Sequence, residues 1–391
     1  MQTGDVKHAP FYLSTYTQTY NERGLAQSKL WPPGTLCITI AANIADTAIL
    51  TMPACFPDSI LGFQPKADMA DVRYVKYCLD GFRGHMEQIS KGTTQDNLSL
   101  DKLLKLRFWF PDLARQKKIA AILGAYDDLI ANNQRRIALL ESMAEEIYRE
   151  WFVRMRFPGA DQTEFSKGIP CNWRYQRLNE VCSIVKGKSY AAEDLSDDDT
   201  AMPFVTLKSF NRGGGYRGAG LKFYKGEFKD DQLVRQGDIV MAVTDMTQDR
   251  VVVGQAARVP DLGERGAVIS LDVMKLVPKT VDGTFLYLYL RFSGFSNYIK
   301  EFANGANVLH LKPDLVGKQS VALPAMDLQL TLSKLAEPLL QEAEQLTQVS
   351  EKLEAMRDAL LPRLISGKLR VDQLDIQCPP SMRAETAEAA P

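Results

Sequence analysis

The stretch KIAAILGAYDDLIANNQRRIALLESMAEEIYREWF, Lys118–Phe152, limits what this chain can fold into more than any other. It contains no proline and a single glycine, Gly124. Apolar side chains recur at Ile119, Ile122, Tyr126, Leu129, Ile137, Leu140, Met143, Ile147 and Trp151. Steps of three and four are helical. Started at Asp112, such a helix is roughly 60 Å long at ~1.5 Å per residue, whereas a usual helix has ~11–12 residues. The flanking sequence alternates apolar runs with Gly, Asp and Asn turns, the pattern of strands. A long helix in a strand-rich chain needs a purpose.

The spacing holds a repeat. A shift of 213 places Tyr74 on Tyr287, Gly81 on Gly294, Phe82 on Phe295 and Gly92 on Gly305. The same shift places Leu98 on Leu311, Asp101 on Asp314, Pro111 on Pro324 and Gln116 on Gln329, with no gap. It continues into the helix, where Ile119 meets Leu332, Leu140 meets Leu353 and Met143 meets Met356. Two long helices are predicted, Asp112–Phe152 and Asp327–Leu361, each after a strand-rich segment of the same kind. Further upstream, APFYLSTYT answers to MPFVTLKSF and GTLCITIA to GDIVMAVT, so Pro10 corresponds to Pro203. Tyr74–Ser90 and Gly283–Phe302 read as one helix per copy, which makes each globular unit α+β. The predicted order is a first unit over 1–111, a long helix over 112–156, a second unit over 170–324, a second long helix over 325–367 and a tail over 368–391.

The second helix shows a coiled-coil line at Leu332, Leu335, Leu339, Leu346, Val349, Leu353, Met356 and Leu360. Asn133 and Arg136 occupy inner positions of the first. Pro338 is expected to kink the second helix, and Leu361-Pro362 with Gly367 to end it. Helices this long outrun a small domain. They are expected to pack antiparallel about a pseudo-twofold axis through Ile122, Tyr126, Leu140 and Met143 on one side and Leu346, Leu353 and Met356 on the other.

Composition narrows the function. With 391 residues, 45% hydrophobic and 24% charged, the chain has material for two or three ordinary globular domains. A net charge of −1 means that any surface for a polyanion is local or shared with a partner. There is no run of eighteen apolar residues and no basic leader ahead of an apolar stretch, so a cytoplasmic location is expected. The six cysteines form no C-x-x-C pair and there are three histidines, so a zinc site or disulfide framework is not expected.

Here a resemblance enters. RQKKIAAILGAYDDLIANNQRRIALLESMAEEIYREWFV resembles the conserved central region of the specificity subunits of type I restriction–modification systems. LLPRLISGKLRV, Leu360–Val371, is similar to their C-terminal signature, and LSLDKLLKLRFWFPDLARQ to the lead-in to a conserved helix. The likeness extends to Val371. It implies two target recognition domains, each reading half of a split DNA sequence, and a helical rod that sets their distance and docks two modification subunits. It also implies restriction subunits in the full complex, with S-adenosylmethionine, ATP and Mg on partner subunits and no cofactor in this chain.

Catalytic motifs are missing. KGKS, Lys186–Ser189, fails as a phosphate loop because Cys182 stands where glycine is required. No N/D-P-P-Y/F element and no acidic nuclease-like cluster is present, and His8, His85 and His310 are scattered. A binding subunit is the expectation. A methyltransferase fused to a reader, or a coiled-coil adaptor without a nucleic-acid role, are the alternatives.

For DNA contact, Thr200–Gly226 holds Lys208, Arg212, Arg217, Lys222 and Lys225 and no acidic residue, with Tyr216 between arginines on a flexible glycine loop. Lys186 and Lys188 add a basic turn. AVTDMTQDR, Ala242–Arg250, offers Thr244, Gln248 and Arg250 for bases or phosphates. The first copy's counterparts are Ser14–Arg23, with Thr15, Gln18 and Arg23, and Ile40–Asp46, with Asn43. The turns Lys91–Asn97, with Thr93, Thr94 and Gln95, and Asn304–Asn307, with Asn307, complete the set. Only Met1–Ala9 precedes Pro10, against Gly168–Met202 before Pro203. The first domain is therefore expected to expose an edge strand or apolar surface.

Overall fold

A computed structural model describes residues 1–91 and 97–382 of the chain. They form an α+β protein in two compact units. Unit one comprises 1–134 with 348–391, and unit two comprises 135–347. Both long helices are present, Leu113–Phe152 and Met326–Ile365, each of 40 residues. Each contributes a part to both units.

Unit one is built on one four-stranded sheet. Leu36–Thr39 pairs antiparallel with Thr47–Leu50 and with Ile60–Phe63. Tyr12–Leu13 joins the far side of Thr47–Leu50 in parallel. Among the described residues Ile60–Phe63 is therefore an edge. The helix Val72–Gly81 buries Tyr77, Cys78 and Leu79. Burial pushes the Cys78 thiol up to about 12, as expected for an inert core thiol. Ile119 and Leu123 of the first long helix share a core with Leu364 and Ile365 of the second. Arg357 Nη1 donates to Asp127 Oδ1 at 2.7 Å. Early turns of one helix thus meet late turns of the other, so the pairing here is antiparallel. Val371 and Met382 are buried in the same core, which extends the unit beyond the second helix.

Unit two is larger. The sheet around Ile239–Ala242 has Ala256–Arg258 on one side and Val273–Pro278 on the other, with Cys182–Lys186 covering the outer edge of the latter. A second sheet of five strands is centred on Met202–Val205 and Ala267–Ile269, which pair in parallel. Arg174–Arg177 pairs with Ser320–Leu323. Ala144, Tyr148 and Phe152 of the first long helix share a core with Leu332, Ala336 and Leu340 of the second, again antiparallel.

One device recurs in both units. In unit one, the buried Gln116 accepts from the backbone N–H of Asp71 at 2.9 Å and donates to Pro111 O at 2.8 Å. In unit two, Gln329 accepts from the Asp282 N–H at 2.9 Å and donates to Pro324 O at 2.9 Å. Asp71 and Asp282 each cap the helix that follows, Val72–Gly81 and Gly283–Phe292. A single amide therefore locks the domain helix to the root of the long helix. The capped helices correspond at a shift of 211, not 213. The gapless alignment is out of register across them by two residues, and the glycines matched there are not structural equivalents.

Three expectations need correction. The second long helix does not stop at Leu361-Pro362 but continues to Ile365. An interior proline costs about 3 kcal/mol, and at the end of this helix the burial of Leu364 and Ile365 offsets that cost. The stop is at Gly367, whose φ of +72° and close approach to the Trp109 ring leave no room for a Cβ. Second, the coiled-coil line is wrongly phased. Leu335, Val349 and Met356 are exposed, whereas Leu332, Ala336, Leu340, Ala343 and Ser350 are buried. Met143 is also exposed, while Ala144 beside it is fully buried. Ile122, Tyr126, Leu140, Leu346 and Leu353 are half-buried. Leu332 and Leu340 share the contact line with Ala336, Ala343 and Ser350, and Leu335, Val349 and Met356 flank it. Third, Asn133 is buried as expected, but Arg136 is half-exposed and pairs with Glu342 at 2.6 Å.

Candidate functional site

In unit two the polar loop after Ile239–Ala242 is held by a buried carboxylate. Asp245 accepts hydrogen bonds from the N–H of Thr247 at 3.0 Å, of Val252 at 2.7 Å and of Val253 at 3.2 Å, and from Thr247 Oγ1. Burial alone would push its carboxyl up. The donors outweigh it and hold the group below the usual carboxylate range. The loop is thereby closed from its inside, which directs the residues between Asp245 and Val252 outward.

The same loop is tied to the turn at 304–307. Thr244–Asp245 pairs antiparallel with Leu309–His310. Gln248 donates to Ala306 O at 3.0 Å and to Gly305 O at 3.4 Å. Arg250, with φ +52°, forms an ion pair with Glu301. Two segments distant in sequence thus present one polar surface with Gln248 and Asn307 exposed. Thr244 is the exception. It is 2% exposed, with Oγ1 3.5 Å from His310 Nδ1, so it lines the inside and is not available to a large ligand.

The glycine loop is hydrogen-bonded to its neighbours and partly buried. Gly213, Gly214 and Gly215 all take positive φ, and Gly214 and Gly215 are buried. The Gly215 N–H donates to Ala256 O at 2.9 Å, and Arg217 N–H to Ser209 O at 2.9 Å. Tyr216 packs on the core beneath. Lys208, Arg212 and Arg217 remain exposed at its surface. Lys186 is exposed 3.8 Å from Asp314, and Lys188 is half-buried, bridging Ser270 through its backbone.

Unit one has a smaller counterpart. After Leu36–Thr39 the chain turns through Ala42 and Ala45, both at positive φ. Non-glycine residues held there cost roughly 1–2 kcal/mol each, and such strain concentrates at functional loops. Thr39 Oγ1 closes the turn against Asn43 O and the Asp46 N–H. Asn43 Oδ1 accepts from Lys7 Nζ at 3.1 Å, and Arg83 pairs with Asp46 at 2.7 Å. Leu98 N–H donates to Ile40 O, as Leu311 N–H does to Val243 O, so both loops leave their sheets at equivalent points. Thr15, Gln18 and Arg23 are exposed, with Gln18 accepting from Gln2 Nε2. Thr93, Thr94 and Gln95 lie outside the described residues.

Sequence reasoning missed Asp245 and Glu301. The D-x-T spacing of Asp245 and Thr247 is a side-chain turn signature that would have marked the anchor. Nothing local marks Glu301. It also missed the ion pairs beneath the surface. Arg258 is buried and paired with Glu337 at 2.8 Å and Glu344 at 3.2 Å, both on the second long helix, and Thr284 donates to Glu337 as well. The loop-bearing sheet is thus fastened to a helix within the unit. No helix among the described residues is long and apolar enough to cross a membrane.

Comparison with known proteins agrees with this architecture. Residues 2–142 match the family model of the type I restriction modification DNA specificity domain. The chain is 24% identical over 379 residues to the MjaIX specificity subunit of a type I restriction enzyme from Methanocaldococcus jannaschii, covering 93% of this chain and 84% of the relative. It is 22% identical over 329 residues to the MjaVIII specificity subunit of the same organism, covering 81% and 75%. The crystal structure of a type I restriction–modification S subunit from M. genitalium superposes with a TM-score of 0.56 at 16% identity, covering 86% of this chain and 84% of that one. That likeness extends the shared fold over both repeats, and residues 2–142 belong to the family of the type I restriction modification DNA specificity domain.

Proposed function

We propose that the chain reads a bipartite DNA target, one half-site per unit, and holds two modification subunits, which bring S-adenosylmethionine. Restriction subunits with ATP and Mg join in the full complex, in a cytoplasmic setting. The chain itself is non-catalytic. The recurrence of the Gln116 and Gln329 locks in two units carries this reading. One locked loop-bearing sheet per long-helix root supplies two readers from one polypeptide. Exposed Gln248, Asn307, Lys208, Arg212 and Arg217 are the contact candidates in unit two, and Thr15, Arg23 and Asn43 in unit one. A glutamine suits adenine, and arginine suits guanine or phosphate.

The helices act as a ruler in this reading. Duplex geometry couples distance to helical phase, with ~34–36 Å per turn. Four residues inserted at Ala131 lengthen the helix by about 6 Å at ~1.5 Å per residue. Methylation mapping with the modification subunits should then return both half-sites unchanged and a gap longer by one or two base pairs. A changed half-site would contradict the ruler. Absence of any sequence-dependent protection in the assembled complex would favour the adaptor, and methyl transfer by the isolated chain would favour the fused enzyme.

A further inference from the structure

In unit two, the loop from Asp245 to Val252 has already spent its neutral side-chain donors on the protein itself. Thr247 Oγ1 gives its one hydrogen to Asp245 Oδ1 at 3.1 Å. Gln248 Nε2 lies 3.0 Å from Ala306 O and 3.4 Å from Gly305 O, and these two carbonyl oxygens fix which end of the amide faces them. Both amide hydrogens are thereby used, and only Oε1 remains. Asp249 is exposed, and its side chain has no partner among the described residues. Arg250 is the only cation of the loop. It pairs with Glu301 through Nη1, and its Nε is buried.

What remains at the exposed tip is one-sided. The side chains of Thr247 and Gln248 can accept but not donate, and a carboxylate is an acceptor only. With Arg250 balanced by Glu301, Asp249 leaves the tip negative. Such a tip is repelled by phosphates and does not suit the DNA backbone. The base edges differ in what they offer it. In the major groove adenine N6 and cytosine N4 are donors, whereas guanine O6 and N7 and thymine O4 are acceptors.

We propose that Thr247, Gln248 and Asp249 form an acceptor-only reading tip, which selects an exocyclic amino group, adenine N6 or cytosine N4, in the major groove. This rests on unit two being a DNA reader, and it narrows that reading. Gln248 does not make the two-way contact with adenine N6 and N7, because its donors are held by the turn at 305–306. An acceptor set against a keto oxygen leaves both without a hydrogen, so the tip works by rejection as well as attraction. Phosphates are left to the exposed Lys208, Arg212 and Arg217.

The test uses the full chain assembled with modification subunits and reads binding rather than methyl transfer. Each adenine or cytosine of the unit-two half-site is replaced singly by purine or 2-pyrimidinone, which lack the exocyclic amino group. At one position or more the replacement should weaken binding about tenfold or more, the equivalent of ~1.4 kcal/mol. The same replacement should cost the Asp249→Ala or the Gln248→Ala complex no more than about threefold, because the acceptor is already gone. Asp249→Ala should also tighten binding to unrelated DNA, since a repelling charge is lost, while discrimination falls. A merely structural loss would lower both. The proposal is overturned if no amino group couples to either substitution. It is also overturned if the coupled group is guanine O6 or N7, probed with 2-aminopurine and 7-deazaguanine, because the tip then donates. Those outcomes leave the two-reader model standing. If no half-site maps to unit two, that model falls and this inference with it.

Discussion

The two units share a fastening and differ in their rims. Each uses one glutamine to bind an N-terminal helix cap to the pre-helix proline, and each has a partly buried ion pair at the long helices to which its domain is tied. In unit one that pair is Asp127 with Arg357, where Tyr77 also donates to Asp127. In unit two it is Arg258 with Glu337 and Glu344. The rims differ in size and closure: among the described residues, unit one has a four-stranded sheet with an open edge, whereas unit two has a four-stranded sheet whose corresponding edge is covered and a five-stranded sheet beside it. Where the repeat meets the helices the demand is geometric and alike in both copies. Where it meets a ligand, the two copies have different loops on the same base.

The largest expected effect tests the fastening where it is deepest. Glu337→Ala removes the bidentate partner of Arg258, a side chain only 8% exposed. Breaking a buried pair by deleting one partner costs about 3–5 kcal/mol. Denaturant unfolding of unit two should shift by that order. Asp127→Ala should cost less, because the arginine it leaves unpaired, Arg357, is 28% exposed against 8% for Arg258. Equal losses would mean that burial does not distinguish the two fastenings.

The second prediction tests sameness. Gln116→Ala and Gln329→Ala each orphan the cap N–H and the proline carbonyl, at about 1–3 kcal/mol per group, and Gln116→Ala also frees Met69 O. Exchange at the Asp71 and Asp282 amides should speed up by similar factors. A loss in only one unit would show that the repeated amide serves different purposes.

The third concerns the unit-two loop. The native pKa of Asp245 is lowered, so its stabilisation is fully present above the ordinary carboxylate value of 3.8 and is lost as pH falls through the folded value. Protection of the Val252 and Val253 amides should therefore be flat from neutral pH to pH 5, by the ~3.9 reference value, and collapse only in stronger acid. Asp245→Ala should release both amides at neutral pH, a local loss of about 1–3 kcal/mol. It should leave the lock at Gln329 intact.

The sequence alone revealed the long helices, the duplication and the thin rim of unit one, because each follows from periodicity or spacing. The loop at Ala242–Arg250 and the turn at Asn304–Asn307 were found separately. Their union through Gln248 and the strand pair at Thr244–Asp245 was not legible, because it depends on pairing between distant segments. Arg258 was invisible for the same reason: its partners are far along the chain, on a helix whose charged positions look solvated. The two-residue slip across the capped helices was hidden because tyrosines and glycines happen to coincide at the wrong shift.

The smallest effect tests why the helical phase was misread. Of the large apolar residues at three-and-four spacing in the second helix, Leu335, Val349 and Met356 sit beside the contact line, whereas Leu332 is on it. Met356 is 53% exposed, whereas Ala336 is fully buried and Ala343 is 5% exposed. Alanine at the line brings backbones close, leaving the larger side chains to splay along the flank. Met356→Asp and Met143→Asp should therefore each change stability by no more than about 0.5 kcal/mol, the range of ordinary surface changes. Ala343→Asp, which puts a charge on the line, should cost several kcal/mol on the scale of an unpaired buried charge. The ratio matters more than either value. If Met356→Asp proved as damaging as Ala343→Asp, the leucine-and-methionine line would be the true interface. The small residues would then have no reason to be buried.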